Sequence, residues 1–235
     1  MLVLEDKIFL HFQKCAGLSV YELVNKLKLK KLWFKEHCGI VNLPEEYEHM
    51  RRFAFIRNPY DWYVSYYYFQ LYEHTGSVKY WINPFFSALT KGCSIGFSEF
   101  VRNSVNLKTY FENNMEQYQV CIGVFEYAIS RGSASWVGSW FKDPDEFRKY
   151  IALDELNMSL MEWYMKIIGL NESNTTVYKL EEFNSSLIKE FGSIEFIPHV
   201  HTSMHKKYSC YYNNELINVV NRSHDNILDK YNYKF

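Results

Sequence analysis

The chain alternates between short apolar runs and amphipathic stretches. Residues 7–12 (KIFLHF) are almost continuously apolar, which predicts a strand covered on both faces. From Ser19 to about Lys30, Val20, Leu23, Val24 and Leu27 recur at helical spacing with lysines opposite them. Phe53–Ile56 reads as a second buried strand. Asn58 and Pro59 then make an N-cap and first-turn pair for a helix carrying Tyr60, Val64, Tyr67, Tyr68 and Leu71 inward. Residues 73–120 hold no sustained period and predict loops with short helices. Residues 147–170 read as mostly helical, 175–180 (TTVYKL) as a strand, 184–191 as a helix, and 213–230 as one final amphipathic helix. Strands alternating with helices predict an α/β fold, a central parallel sheet flanked by helices. Ligands in such folds lie at the carboxyl ends of the strands. Neither a repeat nor a linker interrupts the chain, so 1–235 reads as a single domain.

Composition narrows the function. With 235 residues, 48% of them hydrophobic and 19% aromatic, the chain can build a full core without disulfide or metal staples. A net charge of −1 argues against a globally basic nucleic-acid binder while leaving room for a local basic pocket. Cys15, Cys38, Cys93, Cys121 and Cys210 are odd in number and scattered, which fits a reducing compartment better than a disulfide framework or a cysteine-rich zinc site. Nothing approaches the roughly 20 apolar residues of a membrane span. The first residues are acidic where a signal peptide would be basic, so the expectation is a cytoplasmic protein. The Asn-x-Ser/Thr triplets at Asn157, Asn171, Asn174, Asn184 and Asn221 read as chance in an Asn- and Ser-rich chain.

Candidate chemistry sits at two strand-to-helix junctions. In the first, Gln13-Lys14-Cys15-Ala16-Gly17-Leu18-Ser19, a glycine permits close backbone approach, the amides of residues 17–20 point outward, and Lys14 adds a charge. An anion suits this arrangement. The lysine comes before the glycine, so this is not the ATPase loop, in which Gly-Lys-Ser/Thr abuts the helix. In the second, Arg57 leaves the end of a buried strand. Ser65 lies two turns into the next helix, on the face shared with Asp61 and Tyr68, and the pair suits a phosphate monoester. An Arg57–Asp61 ion pair capping the helix is the simpler alternative. His37 can serve as a base by its ordinary pKa, with Glu36, Glu45 and Glu46 in reserve, and His11, inside the first strand, reads as structural. His201 and His205 would share a helical face, yet no third metal ligand is evident. The aromatic surplus, including Tyr66–Tyr68, Trp81, Trp136 and Trp140, reads mostly as core.

Together the two junctions resemble the motifs of sulfotransferases that use 3′-phosphoadenosine-5′-phosphosulfate (PAPS), above all the carbohydrate branch. HFQKCAGLS is similar to the 5′-phosphosulfate motif at His11, Lys14, Cys15, Ala16, Gly17 and Ser19. RNPYDWYVSYY is similar to the 3′-phosphate motif at Arg57, Pro59, Ser65 and Tyr67. VYKLEEF and the tyrosine-rich tail ending in Tyr-x-Phe look like the family's closing elements, and VSYYYF resembles the glycan 2-O-sulfotransferases. The resemblance implies a P-loop-like three-layer fold with PAPS as donor, no metal, and a glycan or other hydroxyl acceptor. It implies that Lys14, with Cys15, Ala16, Gly17, Leu18, Ser19 and Val20, holds the 5′-phosphosulfate, and that Arg57 and Ser65 clamp the 3′-phosphate. His37 would be the base, and Lys206 and Lys207, beside His205, a basic flap over the nucleotide. Gln13, Leu18 and Trp62 depart from the motifs, replacing a proline, a hydroxyl residue and an arginine. A small-molecule kinase using ATP and a catalytically silent glycan-binding module are the rival readings. The acceptor stays open among a lipopolysaccharide or capsular sugar, a free oligosaccharide, a small metabolite and a peptide tyrosine.

Overall fold

In the computed structural model, residues 1–75, 83–130, 140–198 and 205–235 are described. The fold is α/β. Five strands form one sheet in the order β3-β1-β2-β4-β5, comprising β1 (Leu2–Val3), β2 (Ile8–Leu10), β3 (Trp33–Phe34), β4 (Arg52–Ile56) and β5 (Thr175–Lys179). The sheet is mixed, which corrects the expectation of an all-parallel one. β2, β4 and β5 are parallel, with Phe9 opposite Phe53 and Ala54 opposite Val177, but β1 runs antiparallel to both β2 and β3. A tight turn, Leu4 N–H to Lys7 C=O at 2.9 Å, folds β1 back on β2.

The apolar runs become the central strands because both of their faces are covered. Phe9, Phe53 and Phe55 project from one face. They pack against Tyr21 of α1 (Gly17–Lys26) and against Phe183 and Phe191 of α9 (Phe183–Phe191), with ring centroids 4.8–5.8 Å apart. Leu10, Ala54 and Ile56 project from the other face and are also fully buried. β5 is a half-exposed edge. α1 connects β2 towards β4, while α2 (Pro59–Thr75) leaves β4 after Asn58, whose Oδ1 accepts from Tyr60 N–H at 3.1 Å. Tyr60, Trp62, Tyr63, Val64 and Tyr66 are all fully buried and give α2 a broad buried face. The opposite stripe, carrying Asp61, Tyr68, Phe69 and Tyr72, is partly or fully exposed.

The segment read as loops with short helices does hold the short α3 (Pro84–Leu89), α4 (Phe97–Ser104) and α5 (Leu107–Asn113). Its end runs into the 16-residue α6 (Met115–Ser130), a long helix that was not foreseen and that continues past the segment. α7 (Pro144–Ile151) and α8 (Leu160–Ile168) follow, and Phe85, Phe125, Trp140 and Trp163 make a dense aromatic cluster between these helices. The final helix is two helices, α10 (Asn214–Ser223) and α11 (Asp225–Lys230). They break at His224, which turns inward so that its Nε2 lies 3.2 Å from Tyr63 Oη. Trp81, Trp136 and His201 lie outside the described residues.

Candidate active site

The first junction is built on an unusual backbone. Lys14 and Ala16 both occupy the left-handed region, with φ of 61° and 57°, at a cost of about 1–2 kcal/mol each for residues bearing a Cβ. Ala16 is the N-cap of α1 and offers no side-chain cap, so the helix opens with backbone N–H groups alone. Its first intrahelical bond runs from Val20 N–H to Ala16 C=O, 3.2 Å. The amide of Val20 is therefore spent in the helix, which corrects its expected place in the anion site. Gly17, Leu18 and Ser19 come before that bond. Gly17 is required by packing: a Cβ there would lie 2.0 Å from both Cδ2 and Nε2 of His11.

His11 lies just past the end of β2 and not within it, and it is buried and packed as the structural reading expects. Its Nε2 edge lies against the turn, its Nδ1 is 3.1 Å from Tyr21 Oη, and its ring centroid is 5.0 Å from that of His37. Burial, reinforced by the neighbouring His37, holds its pKa well below the ordinary histidine value. The positive charge of Lys14 acts in the same direction. His37, the expected base, is 30% exposed at its side chain, with Nε2 3.5 Å from Glu36 Oε1. Its pKa is lowered to about 4, chiefly by burial, so the ring is neutral and able to accept a proton at neutral pH.

Four contacts join the two junctions. Trp62 Nε1–H donates to Gln13 C=O at 3.0 Å, and the Trp62 ring stacks on Phe12 with centroids 5.9 Å apart. The Cys15 thiol, its pKa pushed up by burial, lies where the Arg57 main chain and charge act on it and oppose that rise. The Lys14 ammonium lies 3.9 Å from the centroid of Phe69 on α2. Trp62, a departure from the resembled motif, is therefore the side chain that fastens one junction to the other.

Arg57 emerges where expected, but the geometry includes the simpler alternative as well. Its Nε–H donates to Asp61 Oδ2 at 2.6 Å, with the two side chains only 19% and 23% exposed. Ser65, one turn beyond Asp61, is fully buried. The next turn brings Tyr68 and Phe69. Asp61 and Phe69 are eight residues apart, about 12 Å along the helix axis. The Arg57 and Lys14 side chains therefore mark two ends of one helix face, with Ser65 between them.

The other expected contributors converge on the start of α2. Glu181 accepts from Asn58 N–H at 3.2 Å, and the single Tyr233 hydroxyl proton is shared between Glu181 Oε2 at 2.9 Å and Ile56 C=O at 3.1 Å. His205 stacks on Tyr68 at 6.2 Å, Tyr208 stacks on Tyr60 at 6.2 Å, and Tyr212 Oη donates to Tyr60 C=O at 2.9 Å. Lys206 and Lys207 ride exposed on this segment. A cavity of about 720 Å³ lined by Asn221, Asp225, Asp229, Asn232 and Phe235 lies against the tail and not at the Lys14 turn.

Set beside family models, curated proteins and solved structures, the chain matches none of them. The functional reading rests on the residues and their geometry.

Proposed function

We propose that this protein binds PAPS and transfers its sulfuryl group to a hydroxyl, on a carbohydrate acceptor, from a P-loop-like α/β scaffold. The observation that carries the reading is the joining of the Lys14 turn to the Arg57 helix at the carboxyl ends of β2 and β4. Two cationic side chains thereby stand at opposite ends of one helix face, the pattern a donor with two separated anionic groups requires. Lys14 and the amides of Gly17, Leu18 and Ser19 hold the 5′-phosphosulfate, and the lysine stabilises charge developing on the departing phosphate oxygen. Arg57 holds the 3′-phosphate, Ser65 lies below it, and Lys206 and Lys207 cover the nucleotide. The acceptor hydroxyl gives its proton to the neutral imidazole of His37 as its oxygen bonds to sulfur. The bond from sulfur to the 5′-phosphate oxygen breaks, leaving adenosine 3′,5′-bisphosphate.

Two measurements test this. Thermal-shift titration should raise Tm with adenosine 3′,5′-bisphosphate and leave it unmoved with ATP; the reverse order would favour a kinase. Labelled sulfate should then pass from PAPS to at least one member of a glycan panel. Oligosaccharide binding without transfer would mark a silent glycan-binding module.

A further inference from the structure

The geometry points to Asp61 as a positioning residue that sets the selectivity of the site for a 3′-phosphate, an inference that rests on the function proposed above. The main chain next to Arg57 is already held, by the β4 ladder up to Ile56 and by the Asn58 N–H bond to Glu181. What remains free to turn is the side chain. Asp61 takes its Nε–H at 2.6 Å, and among the described residues this is the bond the guanidinium makes. Holding Nε fixes the plane of the guanidinium and leaves its two terminal nitrogens as a fork facing away from the carboxylate, the geometry that grips an anion in two places. With both partners more than three-quarters buried, the bond is shielded from water and salt.

A carboxylate next to an anion site would otherwise be a liability, since its charge repels the ligand. Asp61 makes that cost small by lying in the first turn of α2, where the helix dipole favours a negative charge. Its field also reaches the covering segment: burial raises the pKa of the Tyr208 phenol, and the Asp61 and Glu181 charges raise it further.

The test compares adenosine 3′,5′-bisphosphate with adenosine 5′-monophosphate, titrated calorimetrically into the full chain. Wild type should prefer the bisphosphate at least tenfold. Asp61→Ala should cut that preference to threefold or less with the monophosphate affinity unchanged. Asp61→Asn, whose amide oxygen still accepts from Nε, should keep most of it. If Asp61→Ala keeps the full preference, or binds the bisphosphate more tightly than wild type, the inference fails while the proposed function stands. A wild type without any preference overturns both. Should the alanine variant not fold, Asp61→Glu, one methylene longer, is expected to lose the preference, and its retention there would equally overturn the assignment.

Discussion

Lys14 holds a left-handed conformation that a lysine adopts only when its surroundings enforce it. Its ammonium rests against Phe69 at the far end of the α2 face from Arg57. Lys14→Ala should lower kcat for sulfate transfer by about 10²-fold or more, the range found when one charge-stabilising donor is lost, and unchanged turnover would remove it from the chemistry. At His37 the pKa of about 4 has two consequences. The proton-accepting form persists well below neutrality, so the acid limb of the kcat/KM–pH profile should lie near 4 and not near the unperturbed 6.5. The sign for stability follows from the same depression. Between about pH 6.5 and 4 the unfolded chain binds protons that the folded one refuses, so stability is full above 6.5 and falls as pH drops through that window. His37→Ala should reduce transfer by about 10²–10⁴-fold, leave bisphosphate affinity within twofold of wild type, and flatten the slope of Tm against pH below 6.5. A collapse of affinity in that variant would make the residue structural.

At the scale of elements, the turn before α1 works because a strand residue and a helix residue share one space. His11 fills the volume a side chain at Gly17 would need. Gly17→Ala should destabilise by about 1–3 kcal/mol, the cost of overpacking, and weaken bisphosphate binding as the turn is displaced. Urea denaturation of Gly17→Ala with and without His11→Ala should show the second change recovering part of the loss; strictly additive losses would mean the two residues do not compete. α2 is the other decisive element. Its start was legible, since Asn58 and Pro59 cap a helix by local chemistry alone. The breadth of its buried face was not, because that depends on the aromatic helices around it. β1 and β3 escaped notice for a related reason: strands of two residues carry no period, and their pairing is set by partners remote in sequence. His224 breaks the closing helix because its ring goes to Tyr63, a residue of α2.

Across the whole molecule the two ends of the sheet differ in kind. The carboxyl ends of β2 and β4 hold the histidines, the lysine turn and Arg57. The amino ends hold a charge network in which Glu190, 2% exposed at its side chain, accepts from Arg51 at 2.9 Å and Tyr178 Oη at 2.8 Å and lies 3.8 Å from Lys7, itself 8% exposed. Lys7 also donates to the Glu190 main-chain carbonyl. Removing one partner of a buried ion pair costs about 3–5 kcal/mol. Glu190→Ala should therefore lose stability on that scale by urea denaturation, with nucleotide affinity retained because the network stands at the opposite end of the strands. A loss below about 1 kcal/mol would show that Asp6, 3.2 Å from Lys7 and largely exposed, suffices as its partner. By itself the sequence determined the buried strands at Phe9 and Phe53, the helix after Asn58 and the two basic junctions, all of which follow from neighbours in the chain. Only the tertiary structure decided that β1 runs antiparallel, that His11 lies under the turn beside His37, and that Trp62 fastens Gln13 to α2. Each of these depends on which groups meet across space, and local spacing carries no record of that.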